Sequence, residues 1–136
     1  MVTTPDPPRM VNVKRFFMSL STNKAEEVAR ELVTPKVTYT VPGRSSVSGV
    51  FQGPDEVQRH LATIFGMSNC TYDVLKWDDW MLGENHISVL LTMQIQRNRT
   101  MFKGHVMYLV RTDGQDAISE ITVYFEDQED AHRFFY

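Results

Sequence analysis

Cysteine is almost absent from this chain, which carries only Cys70 among its 136 residues. A single cysteine excludes an internal disulfide and any metal site that needs several thiolates. The chain has four histidines, and no two of them have the spacing of a metal-binding pair. We therefore expect neither a bound metal nor any other resident cofactor.

The chain also lacks long hydrophobic runs and an excess of positive charge. No apolar stretch approaches the roughly 18 residues that a membrane-spanning helix needs. The net charge is −3 and the basic residues form no block, which argues against a nucleic-acid partner. The first ten residues, MVTTPDPPRM, are proline-rich and lack the apolar run of a signal peptide. We expect a flexible tail over residues 1–10, a single domain over residues 11–136, no membrane partner and a cytoplasmic location.

What the chain does contain is typical of a globular protein, with 42% hydrophobic and 23% charged residues. Three segments have helical periodicity. The first covers Val11–Ser21, the second begins near Asn23 and ends before Pro35, and the third begins at Pro54. Alternating apolar residues then predict a strand over Val37–Val41, between the second and third helices.

From Cys70 onward the hydrophobic period changes from the helical value to two. This period predicts strands over about 70–82, 86–97, 100–112 and 116–126, joined by short turns, and a short helix in the tail. The order of elements is helix, helix, strand, helix and then an antiparallel series of strands. It predicts an α+β fold in which a sheet curls over the helices.

The segment VPGRSSVSGVFQG, residues 41–53, raises a separate question. It is too polar for a core and too rich in turn residues for a strand. We interpret it as a connector that follows a turn at Pro42 and Gly43.

The alternation of side chains separates two faces of the sheet. Val89, Leu91, Met93 and Ile95 form one apolar row, which we expect to face inward. The opposite face combines polar residues with Met107, Leu109 and Tyr124, and His105 falls on it too. An apolar patch of that kind predicts a contact between two copies of the chain, so we expect a homodimer.

Three segments carry a resemblance to a known family: VTYTVPGRSSVSGVFQGPDEV, VRTDGQDAISEI and VYFEDQEDAHRFF. In their order and spacing the chain resembles the nuclear-transport-factor-2-like (NTF2-like) superfamily, in particular its SnoaL-like branch of polyketide cyclases and ketosteroid isomerases. The resemblance extends from about Val13 to Phe135. It implies a cone-shaped, curved antiparallel sheet wrapped around three N-terminal helices, with an apolar pocket inside and the run after Pro42 crossing the pocket mouth.

The resemblance also assigns positions within that pocket. The tyrosine, base and acidic donor of the isomerases fall on Phe16, Val41 and a position near Tyr108. The triad of the related epoxide hydrolases falls on Leu91, Met93 and Val123, so this chain has neither the base nor the triad. The residues that we expect to line the pocket and bind a substrate are Phe16, Val41, Phe65, Trp80, Leu91, Met93, Val110, Ile121, Val123 and Phe125.

Four polar side chains are candidates for catalysis: Tyr108, Tyr39, His60 and Asp78. For each tyrosine the alternative is a core residue bonded to backbone or water, and for His60 it is a satisfied structural histidine. Asp78 lies in KWDDWMLG, where strict alternation places Asp78 with Trp80 and places Trp77 with Asp79. A bulge would exchange these faces, and an edge with both aspartates in solvent is the other interpretation.

The resemblance, together with these residues, implies a cofactor-independent cyclase or isomerase for an apolar metabolite of polyketide or terpenoid type. The tyrosines would stabilise a developing oxyanion. Two alternatives stay open, a non-catalytic binder or carrier of an apolar small molecule, and a dimeric protein-interaction module. A His60 or Asp78 that faces the interior favours catalysis, whereas an interior filled by Phe16, Phe65 and Met93 favours the module.

Overall fold

The computed structural model describes residues 5–19, 25–43, 48–67, 72–97 and 99–135. Four helices lie within these ranges: α1 (Pro8–Ser19), α2 (Ala25–Leu32), α3 (Gly53–Met67) and α4 (Gln128–Phe135). The strands are β1 (Val33–Val41), β2 (Gly49–Gln52), β3 (Tyr72–Leu82), β4 (Ile87–Arg97), β5 (Thr100–Thr112) and β6 (Ile118–Phe125). The α+β class is confirmed, and β3 to β6 match the predicted strands closely.

The six strands form one curved, unclosed sheet in the order β2-β1-β6-β5-β4-β3. Neighbouring strands are antiparallel except β1 and β6, which are parallel. The prediction of a wholly antiparallel sheet is therefore wrong at one pair. The chain leaves β1, builds the rest of the sheet, and returns as β6 alongside β1 in the same direction.

The N-terminal boundary of the domain differs from the prediction. Helix α1 begins at Pro8 and not at Val11, and Met10 is buried with 3% of its surface exposed. Proline is favoured in the first helical turn because its missing N–H has no helical partner there. Residues 8–10 therefore lie in α1, which begins three residues before the predicted start of the first helix.

Strand β2 was not predicted, because its sequence was interpreted as a connector. Residues 49–52 pair antiparallel with β1, with Gly49 opposite Val41 and Gln52 opposite Thr38. The flanking turns need backbone angles that favour glycine, with φ of +98° at Gly43 and +82° at Gly53. The part of the connector at residues 44–47 lies outside the described residues. The turn after β1 itself is confirmed.

The helices pack on the concave face of the sheet. Val13, Phe16 and Phe17 of α1 and Val57 of α3 have no exposed surface. Burying an apolar side chain of this size stabilises the fold by roughly 1.5–3 kcal/mol. The described helices and the inner face of the sheet therefore share one hydrophobic core, and the candidate site lies within it.

Candidate functional site

The inner face of the sheet is apolar, as the alternation predicted. Alternate residues of β4, β5 and β6 are almost fully buried, which is expected of the face that packs on helices. The predicted lining residues that are buried in this interior are Phe16, Val41, Leu91, Met93, Val110, Ile121 and Val123. The side chain of Phe65 lies outside the described part of the structure.

Two tyrosines bring polar atoms into this apolar interior. Tyr39 on β1 and Tyr108 on β5 are 2% and 5% exposed, and their side chains are hydrogen-bonded to each other. Burial, and then the neighbouring Tyr108, raise the pKa of the Tyr39 phenol well above its usual value. Tyr39 therefore stays protonated, which is the form that donates a hydrogen bond. The two candidate tyrosines act as a pair and not as separate core residues.

His60 on α3 is the third polar group of the interior. Its ring stacks on Phe51 of β2 at a centroid distance of 4.2 Å and lies 4.9 Å from the ring of Tyr39. The side chain is 3% exposed, and its Nε2 has no hydrogen-bond partner among the described residues. Burial lowers the pKa of His60 to about 4, so the imidazole is neutral at pH 7. We call Tyr39, Tyr108 and His60 the polar centre.

An array of aromatic rings leads from the polar centre to β3, at one edge of the sheet. The ring of Phe17 lies 4.7 Å from that of Tyr108 and 6.4 Å from that of Trp80, and Trp80 stacks on Trp77 at 5.2 Å. The site residue that the sequence analysis missed on α1 is therefore Phe17. It follows Val13 by four residues, so helical periodicity places both on one face.

A bulge in β3 places both tryptophans on the inner face. Trp77 pairs with Leu91 and Trp80 with Val89, and the register shifts by one residue between Trp77 and Asp79. The prediction that strict alternation separates the two tryptophans is therefore wrong. The extra residue of a bulge reverses the alternation beyond it. The prediction of Trp80 as part of the interior wall agrees with its contact to Phe17.

Asp78 is turned away from the polar centre. Its Oδ2 accepts a 2.7 Å hydrogen bond from the hydroxyl of Thr92, which lies on the outer face between the inward-facing Leu91 and Met93. Lys76 approaches the same carboxylate at 3.7 Å. The hypothesis that Asp78 acts as an acid in the interior is therefore wrong, because its side chain lies on the opposite side of the sheet.

Phe125 belongs to a second aromatic group, beneath α4. Its ring lies 6.0 Å from that of Phe102, which in turn lies 5.9 Å from Phe134 of the helix. The structure thus connects Phe125 to helix packing, and no ring contact joins it to the polar centre among the described residues. Its predicted role in substrate binding stays a prediction.

A polar cleft of about 380 Å³ lies elsewhere, at the turns β3–β4 and β5–β6. Of the predicted lining residues, Val110 alone borders it. Its other walls are Arg9, Glu84, Asn85, His86, Ile87, Arg111, Thr112, Asp113, Gly114 and Asp116. Arg9 donates a hydrogen bond to the carbonyl of Gly83, and Arg111 pairs with Glu120 at 3.7 Å. Both arginines of this cleft therefore have partners, and we take the polar centre as the candidate site because its side chains are buried.

Neither a metal site nor a membrane span is found in the described ranges. These ranges contain no group of three or more histidine, cysteine, aspartate or glutamate side chains that could hold a metal ion. Within them, no helix is long and apolar enough to cross a membrane.

Comparison with known proteins identifies the fold. No family profile and no curated protein sequence matches this chain. Among solved structures, an NTF2-like protein from Burkholderia xenovorans LB400 superposes with a TM-score of 0.82 at 13% identity, over 95% of this chain and 96% of that one. A protein described as a SnoaL-like polyketide cyclase, from Jannaschia sp. CCS1, gives a TM-score of 0.76 at 12% identity, over 92% of each chain.

A third structure in this group holds a small molecule. TerC, co-crystallised with polyporic acid, superposes with a TM-score of 0.81 at 13% identity, over 95% of this chain and 98% of that one. The chain therefore has the NTF2-like cone fold that SnoaL-like proteins share. The fold that the sequence motifs implied is confirmed.

Proposed function

We propose that this protein is a cofactor-independent enzyme of the cyclase or isomerase type, acting on an apolar small molecule that carries a carbonyl group. One observation carries the proposal, the polar centre within an otherwise apolar interior. An apolar cavity wall with a few converging polar groups is the usual composition of a small-molecule site. The SnoaL-like cyclase and TerC support this ligand class, because their fold is the same.

In this proposal the tyrosine pair binds the carbonyl oxygen. The two hydroxyls are hydrogen-bonded to each other, and we assign Tyr39 as the donor and Tyr108 as the acceptor. A hydroxyl that accepts a hydrogen bond becomes a better donor itself. Tyr108 then donates to the oxygen as negative charge develops on it. Donors aimed at a developing oxyanion in a dry interior stabilise the transition state more than they would in water.

Binding without turnover is the second candidate function. The specific observation in its favour is the pKa of His60, which at about 4 makes the imidazole a weak proton acceptor. Asp78 faces the other side of the sheet and does not supply a stronger one. A carrier of the same ligand would use the same polar centre for recognition only.

The enzyme proposal is tested by proton exchange in a simple ketone. We expect the protein to accelerate exchange of the α protons of 2-tetralone in D₂O, followed by ¹H NMR. Deuteroxide or a buffer base removes the α proton, the tyrosine pair stabilises the enolate oxygen, and D₂O returns a deuteron to the same carbon. Tyr108→Phe keeps the ring and should lower this rate by roughly 10²–10³-fold, as loss of one oxyanion donor does in other enzymes. The melting temperature should fall by several degrees while the chain stays folded, because the buried hydroxyl of Tyr39 loses its partner.

The matched control is Tyr124→Phe, which removes a hydroxyl from a tyrosine that is 46% exposed on the outer face. It should leave the exchange rate unchanged. Binding of 2-tetralone without exchange would establish the carrier instead. Absence of both binding and exchange, or full exchange in Tyr108→Phe, would contradict the proposal.

A further inference from the structure

His60 is the buried polar side chain whose hydrogen bonding is incomplete. Its Nε2 has no hydrogen-bond partner among the described residues, and only 3% of the residue's surface is exposed. Folded proteins seldom leave a buried polar atom unpaired, because such an atom has lost its water without replacement. This nitrogen is therefore a point at which a bound molecule gains affinity.

The surroundings of the imidazole limit what that molecule can be. The rings of Phe51 and Tyr39 pack on it at 4.2 and 4.9 Å, and Tyr39 is itself bonded to Tyr108. The charged form of a ligand would be poorly stabilised among these rings. A neutral ligand group is favoured, on a molecule that also reaches the tyrosine pair.

A hydroxyl group satisfies this nitrogen in either tautomer of the neutral imidazole. If Nε2 carries the proton, the hydroxyl oxygen accepts; if Nε2 carries the lone pair, the hydroxyl donates. A carbonyl or ether oxygen satisfies only the first tautomer. Burial holds the pKa of His60 at about 4, so both tautomers relevant at pH 7 are neutral.

We infer that the site selects small molecules that carry a hydroxyl group as well as a carbonyl, with the hydroxyl hydrogen-bonded to Nε2 of His60. The inference rests on the proposed function, because it assigns the carbonyl to the tyrosine pair. Hydroxyketones, phenolic ketones and hydroxyquinones belong to this ligand class. His60 is then a specificity-determining residue for the hydroxyl.

Two probes that differ by one methyl group test the inference. 2-Naphthol and 2-methoxynaphthalene have the same ring system, and only the first has a hydroxyl. We expect the protein to bind 2-naphthol at least about tenfold more tightly, measured by equilibrium dialysis at pH 7, because the ether leaves a buried polar atom unpaired in one tautomer. His60→Phe preserves an aromatic ring and should bind both probes equally.

The control is His86→Phe, which changes an exposed histidine bordering the polar cleft and should keep the preference for 2-naphthol. A second measurement does not depend on the folding of any variant. The ¹⁵N resonance of the His60 Nε2 should shift when 2-naphthol is added to the wild-type protein, and should shift much less with the ether.

The outcomes separate this inference from the proposed function. Equal affinity for the two probes in the wild type, or a preference that survives in His60→Phe, would overturn the role of His60 and leave the apolar site in place. Loss of the preference in His86→Phe would locate the probe in the polar cleft and also overturn it. If neither probe binds while 2-tetralone does, the inference fails alone; if none of the three binds, the proposed function fails with it.

Discussion

The two faces of the sheet satisfy their polar groups in opposite ways. On the outer face Thr92 bonds to Asp78, His105 pairs with Glu126, and Arg111 approaches Glu120. These groups are near water, so each pair contributes little and a broken pair is resolvated. On the inner face the polar centre is enclosed by apolar side chains, and an unpaired atom there is costly. The difference teaches that burial of a polar atom, more than its chemical type, determines the cost of leaving it unpaired.

The largest expected effect on stability comes from removing an inner ring. Phe17→Ala should lower the free energy of unfolding by about 3–5 kcal/mol, because it leaves a cavity between α1, Tyr108 and Trp80. The next residue provides the outer control, since Met18 is 49% exposed. Met18→Ala should change the free energy by no more than about 0.5 kcal/mol. Urea denaturation measures both, and similar losses in the two variants would show that α1 does not pack as described.

A smaller effect should appear as a dependence of stability on pH. In the unfolded chain the imidazole of His60 takes up a proton near its ordinary pKa of 6.5. In the folded chain burial lowers this pKa to about 4. Acidification therefore favours the unfolded state between these values, by about 2 kcal/mol from pH 6.5 to pH 5. His60→Phe should remove this part of the pH dependence in urea denaturation curves.

The comparison variant for the pH effect lies on the outer face. His105→Gln changes an exposed imidazole and should leave the contribution of His60 intact. A wild-type protein whose stability falls no faster than that of His60→Phe over this range would show that the buried imidazole titrates normally.

The smallest effect on stability is expected at the apolar patch on the outer face of the sheet. A substitution there should instead change the oligomeric state. We propose that Met107, Leu109 and Tyr124 form a homodimer contact, since Tyr124 is 46% exposed and Met107 lies directly opposite it on the neighbouring strand, two residues before Leu109. Leu109→Lys should give a monomer by light scattering without a large change in melting temperature. Met18→Lys, at an exposed position of α1 outside this patch, should stay dimeric. A wild-type protein that is monomeric at micromolar concentration would contradict this proposal.

The sequence predicted the fold best where one face of a strand is buried and the other is not. The predicted alternation around Leu91, Met93 and Tyr108 is found in the structure, because residues two apart in a strand face the same side of the sheet. Two features were not accessible in this way. The bulge near Asp78 adds one residue to β3, and the amino-acid composition of the strand does not indicate it. Strand β2 is held by backbone hydrogen bonds, which leave no pattern in the side chains of Gly49–Gln52.

The candidate site was predicted in part for a related reason. A histidine on the apolar stripe of a helix and tyrosines within alternating strands indicate buried polar groups, and the structure brings His60, Tyr39 and Tyr108 together. The hydrogen bond between Tyr39 and Tyr108 depends on β1 and β5 lying on either side of β6, which is a long-range feature. The parallel pairing of β1 with β6 likewise depends on residues far apart in the chain, so no local pattern predicts it.

Because β3 contains a bulge, the number of residues in this strand determines which of its side chains face the interior. Strand β3 lies at the edge of the sheet, so after a deletion or insertion near Asp78 it could pair only with β4. Loss of Asp78 would remove the extra residue and leave Trp80 opposite Val89 and facing inward. One residue inserted between Asp79 and Trp80 would instead turn Trp80 and the residues after it outward, if the bulge itself stayed in place. We expect that an insertion beyond the bulge, during the divergence of related chains, changes the interior wall in one event while Tyr39, His60 and Tyr108 stay in place.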